Sequence, residues 1–536
     1  MAIVTIDGQE IEIGDDERLN GIQAARRAGA EVPHYCWHPG LSVVASCRMC
    51  LVETGTKDKE TGEVRMMPKL VPACQTPASD GTVFVTDSQK VRDARAMVEE
   101  DLLIRHPIDC PICDKAGECA LQDYHFQHGR EERRADIKPF TSRRRDLGET
   151  VTLFVDRCVM CSRCVRFCRE VAGTAELMIR DRGAHEEIDV FPGFPLENKM
   201  SGNVVDLCPV GALGDIEFLY RQRVWFMKSH DHVCGGCSAG CSIRVDENQD
   251  HVYRIKPREN PEVNQWWICD EGRYGWGHIH SADRNLTASR RGNDGEHRAL
   301  ETAELVKALD AALRASGRLA VVVSPFLTVE EAYLLSRYAK SIDSEAALYL
   351  GPVPVVGEDE TFASGFTIRN EKCPNRVGVE EVISHFMQGN CESWEALLSR
   401  DDLPSLAVWV SGGSPQPLDH TDAAEALSSA ALLVVHDLFG SPLYEAADFR
   451  IPDAASLERE GSYVNRSHRL QSFEWAVRAP AGVVPAGRLL WQLTGGHGLY
   501  RAANVLQEAA DAISAFAVAK GSIPSQGVDL KVNLLA

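Results

Sequence analysis

Between residues 2 and 13 apolar and polar side chains alternate. Val4, Ile6, Ile11 and Ile13 share one face, and Asp7-Gly8 interrupts the run. Period-two alternation around an Asp-Gly pair predicts a β-hairpin. Asp15 or Asp16 then stands where a helix cap belongs, ahead of a helix over about 17–28 that Gly29 can end. A second helix is predicted over 88–105, running straight into His106. The stretch 129–148 carries Arg130, Arg133, Arg134, Arg143, Arg144 and Arg145 and reads as a solvated linker. After about residue 285 the pattern changes. Apolar runs at 319–324, 406–413 and 431–438 alternate with helical stretches such as 328–342. That rhythm predicts βαβ units and a parallel α/β sheet.

Composition adds one strong signal. The chain has 536 residues, 44% apolar and 25% charged, which suits several globular domains. Its net charge of −21 argues against non-specific nucleic-acid binding. No apolar run reaches the length of a membrane span, and the first residues lack the features of a secretory leader. These readings point to a soluble, cytosolic chain. In that compartment cysteines are metal ligands more often than disulfides. There are 18 of them, 16 before residue 270.

The cysteines sort by spacing into four donor sets. Cys36, Cys47, Cys50 and Cys74 follow C-x10-C-x2-C-x23-C. Three thiolates on one loop and a fourth far along the chain suit a [2Fe–2S] centre, and hairpin, helix, then cysteine loop is the order of a plant-type ferredoxin. A zinc site with four cysteines is the competing reading. His106, Cys110, Cys113 and Cys119 form the second set, where imidazole stands in for a missing thiolate. The third begins as a C-x2-C-x2-C-x3-C run at Cys158, Cys161, Cys164 and Cys168. In two-cluster ferredoxins the fourth cysteine of such a run, followed by proline, serves the other cluster. Arg169 follows Cys168, whereas Pro209 follows Cys208. A second run ending at Cys208 would need cysteines at Asn198, Ser201 and Val204 and has none. One cluster is therefore read as lost, the survivor takes Cys158, Cys161, Cys164 and Cys208, and Cys168 is a plain buried thiol. The fourth set is Cys234, Cys237, Cys241 and Cys269, closed by a segment, WWICDEGRYGWGHIHS, that resembles the cluster-binding start of molybdopterin oxidoreductases. Each of the last three sets is read as a [4Fe–4S] site. Cys373 and Cys391 are left over. The glycines of 411–415 are read as a turn rather than a phosphate cradle.

Four such sets in this order resemble the large iron–sulfur subunit (the G subunit) of bacterial complex I, NADH:quinone oxidoreductase. The likeness extends to Ala447, Asp448, Pro452, Glu458, Gly461 and Asn465, which match a late segment of that family. It implies a multidomain α+β and α/β chain: a β-grasp [2Fe–2S] ferredoxin domain over 1–87, a helical [4Fe–4S] module over 88–145, a ferredoxin-like [4Fe–4S] module over 146–226, a molybdopterin-oxidoreductase-type cluster domain over 227–285, and a shortened molybdopterin-oxidoreductase-like α/β body over 286–536 without molybdenum. It further implies electron relay from a flavin subunit that oxidises NADH, with its [2Fe–2S] partner, to ferredoxin-like and quinone-side subunits. The site would be the inner face of the cell membrane, touched only through the complex. Arg48, Lys115, Arg157, Arg163 and Arg166, near ligands in sequence, are expected to tune the clusters. Two rivals stand beside this reading. One is an electron-transfer subunit of a soluble NAD-linked hydrogenase or formate dehydrogenase. The other is a zinc-rich scaffold with no redox role.

Overall fold

The strands Ala2–Ile6 and Gln9–Ile13 pair antiparallel with Ile6 opposite Gln9, so only Asp7 and Gly8 turn the chain. Both have positive φ, 48° and 86°, as a two-residue turn matched to strand twist requires. The helix that follows is Gly21–Arg27, starting later than the capping pattern at Asp15 and Asp16 suggested. Asn20 caps it in a reciprocal box with Gln23. Asp15 is instead engaged by the N-terminal ammonium, and Glu17 by Arg27. The computed structural model describes residues 1–58, 60–183 and 185–534. Lys59, Ala184 and residues 535–536, which fall in the expected first, third and last modules, lie outside the described residues.

The chain divides into two compact units, Met1–Met227 with Phe362–Gly365 and Lys228–Thr361 with Phe366–Ala536. In the first, a mixed sheet runs in the order Gln9–Ile13, Ala2–Ile6, Thr82–Val85, Leu51–Lys57, Val64–Met66, with the parallel contact between Ala2–Ile6 and Thr82–Val85. The short helix lies across it, and Val4, Ile6, Ile22, Ala25 and Phe84 share a core with Cys50 and Cys74. Gly21 is needed there: a Cβ would stand 3.0 Å from the Phe84 ring and 3.1 Å from Ala73. Next come the helices Gln89–Leu103 and Ala120–His128, a three-stranded sheet (Leu213–Asp215, Val151–Phe154, Arg144–Asp146) and the hairpin of Leu177–Arg180 with Glu187–Val190. The arginine run is no bare linker. Arg143 pairs with Asp156 and Glu187, Arg145 with Glu187 and Asp189, and Arg134 with Glu100.

The second unit opens on a three-stranded antiparallel sheet, Lys228–Val233, Ser242–Asn248 and His251–Pro257. Its larger sheet has eight strands. Six of them are parallel, in the order Phe449–Pro452, Leu432–Asp437, Ala407–Ser411, Leu319–Val323, Ala347–Leu350, Glu392–Ser393. Strand Leu319–Val323 is buried on both faces: Leu319, Val321 and Val323 belong to one core, Ala320 and Val322 to the other. That is why these strands read as unbroken apolar runs rather than alternating ones. Among the described residues no helix is long and apolar enough to cross a membrane.

Candidate metal centres

The first donor set is gathered from a coiled loop and a distant turn. Cys36, Cys50 and Cys74 are buried and Cys47 half-buried. The Cys36 sulfur lies against the sulfurs of Cys47 and Cys74 and the amides of Ser46 and Cys47, and Cys50 lies against Cys74. The loop can aim these amides inward because Ala45 and Arg48 adopt positive φ, 50° and 61°, a costly conformation for side chains with a Cβ. Crowding splits the four thiols. Neighbouring donors hold Cys36 and Cys50 below the ordinary thiol range, while the same contacts and burial push Cys47 and Cys74 above it. Four thiolates can coexist in that space only around a cationic centre, so the donor chemistry fits a metal site, an iron–sulfur cluster included.

The second set lies between the helices Gln89–Leu103 and Ala120–His128. Cys113 is buried, Cys119 half-buried and Cys110 exposed. Cys113 stands near Cys110, and Cys119 near Cys113, with burial raising Cys119 to about 11. His106 faces Arg157 and Asp109, and burial lowers it to about 4. It is therefore neutral, the form with a lone pair to offer a metal. Arg157, 3% exposed, donates to Asp109 at 2.9 and 3.1 Å, stacks over the Phe154 ring and also faces Cys113.

The third set walls a small cavity. Cys158, Cys161, Cys164 and Cys208 line it together with Leu153, Ile188, Val210, Ala212 and Leu213. Met160 and Ser162, with φ of 47° and 58°, alternate with the cysteines and coil the chain around it, and the Met160 amide donates to Cys158 at 3.4 Å. Cys168 does not line this cavity. The helix Arg163–Arg166 widens into a π-turn over Phe167–Ala172, and Cys168, fully buried, faces Glu176.

The fourth set belongs to the second unit, and all its cysteines are buried. Cys234 and Cys241 are tied by a backbone hydrogen bond of 2.8 Å. Cys269 caps the helix Asp270–Tyr274 and accepts from the Gly272 amide at 3.3 Å. A Cβ on Gly272 would lie 3.2 Å from the Cys234 sulfur and 3.5 Å from that of Cys269, so glycine is what lets the two sulfurs share this corner. Burial raises Cys234 to about 12 and Cys241 well above its ordinary range. Among the described residues no three His, Cys, Asp or Glu side chains converge as a single-ion site would need.

Several residues tie the first three sets to one another. Arg163 donates to the Trp37 carbonyl at 2.5 Å and to Leu207 at 3.2 Å, linking the loops of the first and third sets. Arg166 donates to Ser42 and Cys36 at 2.5 Å and to Cys161 at 3.3 Å. The second and third sets meet at the turn after Cys208. The Ala120 amide donates to Pro209, and a Cβ on Gly211 would run into the Cys113 sulfur. Gly211, two residues past Pro209, carries no signal of this role in the sequence. Of the other tuning residues, Arg48 is exposed and Lys115 reaches the Val205 carbonyl at 3.4 Å. Cys373 is buried beside Glu371, and Cys391 is exposed. In the 411–415 loop the Gly413 amide is occupied by Asp437 at 2.9 Å.

Comparison with known proteins yields a succession of family models. They are the 2Fe-2S iron-sulfur cluster binding domain over residues 1–89, the NADH-ubiquinone oxidoreductase-G iron-sulfur binding region over 95–134, and the ferredoxin-like domain of NADH-quinone oxidoreductase subunit 3 over 148–214. The molybdopterin oxidoreductase Fe4S4 domain over 227–281 and molybdopterin oxidoreductase over 397–483 follow. The chain thus joins [2Fe–2S] and [4Fe–4S] binding domains to a molybdopterin-oxidoreductase-like α/β body. Among curated proteins it is 37% identical to the G subunit of NADH-quinone oxidoreductase from Streptomyces coelicolor over 63% of this chain and 39% of that one. It is 33% identical to the G subunit from Rickettsia felis over 64% and 50%, and 37% identical to that from Pseudomonas putida over 53% and 31%. The match spans half or less of each relative's length. Among solved structures, an NAD+-reducing [NiFe]-hydrogenase in the H2-reduced state is 27% identical over 42% of this chain and 91% of that one, with a TM-score of 0.34, too low to bear on fold or function.

Proposed function

We propose that the chain, similar to the G subunit of NADH-quinone oxidoreductase, is an electron-transfer component that relays single electrons from an NADH-oxidising flavin subunit toward quinone. Sixteen side chains would hold the redox groups: Cys36, Cys47, Cys50 and Cys74 a [2Fe–2S] cluster, and the sets containing His106, Cys208 and Cys269 a [4Fe–4S] cluster each. Clusters so held supply one-electron chemistry, with potentials set by charge, hydrogen bonds and burial.

The observation that carries this reading is the sharing of residues between donor sets in the first unit. Arg163 and Arg166 each bond to both the first and third loops, and Gly211 lets the turn after Cys208 lie against Cys113. Side chains that fix three redox sites in mutual register suit a relay better than isolated structural sites. In the proposed order the Cys158/Cys208 site receives electrons and the His106 site delivers them, with the Cys36 site near the receiving end. Neutral His106 would leave its cluster less negative than four thiolates would, raising its potential. The fourth set is proposed to lie off the path and serve the fold. The five modules are proposed to span 1–87, 88–145, 146–226, 227–285 and 286–536. The partners would be flavin, ferredoxin-like and quinone-side subunits of complex I, with the chain peripheral on the inner face of the cell membrane.

The test is low-temperature EPR of the dithionite-reduced protein with iron and acid-labile sulfide counts, and a His106→Cys variant for comparison. The expected result is one [2Fe–2S] and three [4Fe–4S] signals with about fourteen iron per chain. In His106→Cys the midpoint of a single cluster moves down. A colourless, sulfide-free protein that binds zinc would overturn the reading.

A further inference from the structure

The helix Gln89–Leu103 buries four side chains, and two of them are ionisable, Arg95 and Glu99. Arg95 is 2% exposed and Glu99 0%. A buried guanidinium is costly unless paired, because it has lost its water. Yet among the described residues the Nε and Nη2 of Arg95 have no hydrogen-bond partner. Glu99, one turn further along the helix, accepts from the Tyr35 hydroxyl and leaves its other oxygen unpartnered. Burial raises its carboxyl to about 7, so it is a weak counter-charge. The anionic groups Arg95 does face are Asp87, Cys50 and Asp7, with Tyr124 beyond. Asp87 is 65% exposed and already paired with Arg92 at 3.2 Å, and Asp7 is exposed and accepts from the Thr86 amide and hydroxyl. The remaining group is Cys50, buried in the core at the first donor set.

We propose that Arg95 is the built-in counter-charge of the Cys36/Cys47/Cys50/Cys74 site, a positioning residue whose buried cation makes that site easier to reduce. The inference rests on the reading of that set as a [2Fe–2S] site. A cluster with four thiolate ligands is net negative and gains one further negative charge on reduction. A cation nearby in a medium of low polarity, unscreened by water, stabilises the more negative form more strongly. The same attraction offsets the cost of burying Arg95. This identifies a tuning residue 21 positions beyond the nearest preceding ligand in sequence, Cys74, whereas ligand-adjacent Arg48 is exposed.

The experiment is a potentiometric titration, followed by EPR, of the iron-loaded chain carrying Arg95→Met or Arg95→Lys. The expected result for Arg95→Met is a fall of at least tenfold in the reduction equilibrium of the [2Fe–2S] signal, which is 59 mV for one electron. The [4Fe–4S] midpoints stay in place, and Arg95→Lys keeps the wild-type midpoint within a third of that shift. An Arg95→Met protein that binds the cluster at the wild-type midpoint overturns the proposal. Should Arg95→Met fail to assemble, Arg95→Lys decides. Assembly with a near-wild-type midpoint supports a role for charge. Loss of the signal in both variants, or a tenfold shift with lysine, assigns the role to side-chain shape and overturns it. Failure of the underlying site reading shows separately, as absence of the [2Fe–2S] signal from the wild type.

Discussion

Replacing Arg166 with methionine keeps the length and apolar stem of the side chain and removes its donors. Arg166 is 5% exposed and donates to three carbonyls, those of Ser42 and Cys36 at 2.5 Å and of Cys161 at 3.3 Å. Ser42 is exposed, so its carbonyl can return to water. Cys36 and Cys161 are buried, and a buried acceptor left unpaired costs about 1–3 kcal/mol. Two such acceptors, the Cys161 bond being the long and weaker one, together with a lost charge-assisted bond to Ser42, come to roughly 2–5 kcal/mol. Urea unfolding of the iron-loaded chain, followed by visible absorbance, should show the unfolding free energy falling by that amount, through a lower midpoint with little change in slope. Arg92→Met is the control. Arg92 is 54% exposed and pairs with exposed Asp87, so its loss should cost about 0–1 kcal/mol. If Arg166→Met costs no more than the control, the argument that this arginine ties two ligand loops together is wrong.

Three further perturbations test other parts of the reading. Cys168→Ala should leave the iron content at about fourteen per chain, while Cys208→Ser should lose about four; equal iron loss in both variants would refute the division of the cysteines. Gly272→Ala pushes a methyl against the sulfurs of Cys234 and Cys269, and overpacking of this kind costs about 1–3 kcal/mol. It should lower the melting temperature of the second unit and loosen iron there, and an unchanged melt and iron content would sink the idea. Glu330 is buried, accepts from the Ser462 amide and hydroxyl at 2.8 Å, and burial raises its carboxyl from 4.5 to about 7. The unfolded chain releases that proton near 4.5 and the folded chain only near 7. Stability is therefore undiminished below 4.5, declines as pH rises through this window and is lowest above 7, by up to about 3 kcal/mol. Glu330→Gln should flatten that decline in denaturant titrations from pH 4 to 8. Parallel curves for variant and wild type would count against it.

Local chemistry was open to inspection in the sequence. Cys47 and Cys50, Cys110 and Cys113, Cys158 to Cys164, and Cys234 and Cys237 sit at spacings that one turn of coiled loop can bring together, so the donors announce themselves without the fold. The apolar runs at 319–324, 406–413 and 431–438 marked strands because a strand covered on both faces has no polar side to display. The helix start was misjudged. Asp15 and Asp16 suit a cap as well as Asn20 does, and the choice depended on the N-terminal ammonium and Arg27, which engage Asp15 and Glu17. The arginine run at 129–148 looked like a solvated linker because its partners Asp156, Glu187 and Asp189 lie further along the chain.

By itself, then, the sequence supplied the candidate metal donors, their grouping by spacing and the start of an α/β body, since these follow from residue type and short spacing. The tertiary structure alone decided that Cys168, on a π-turn, faces Glu176. It also decided that Arg166 bonds a carbonyl 130 residues away, and that Arg95 is buried with two of its nitrogens unpartnered among the described residues. Those outcomes depend on packing between segments remote along the chain, and the environment of a buried charge exists only once the fold has excluded water from it.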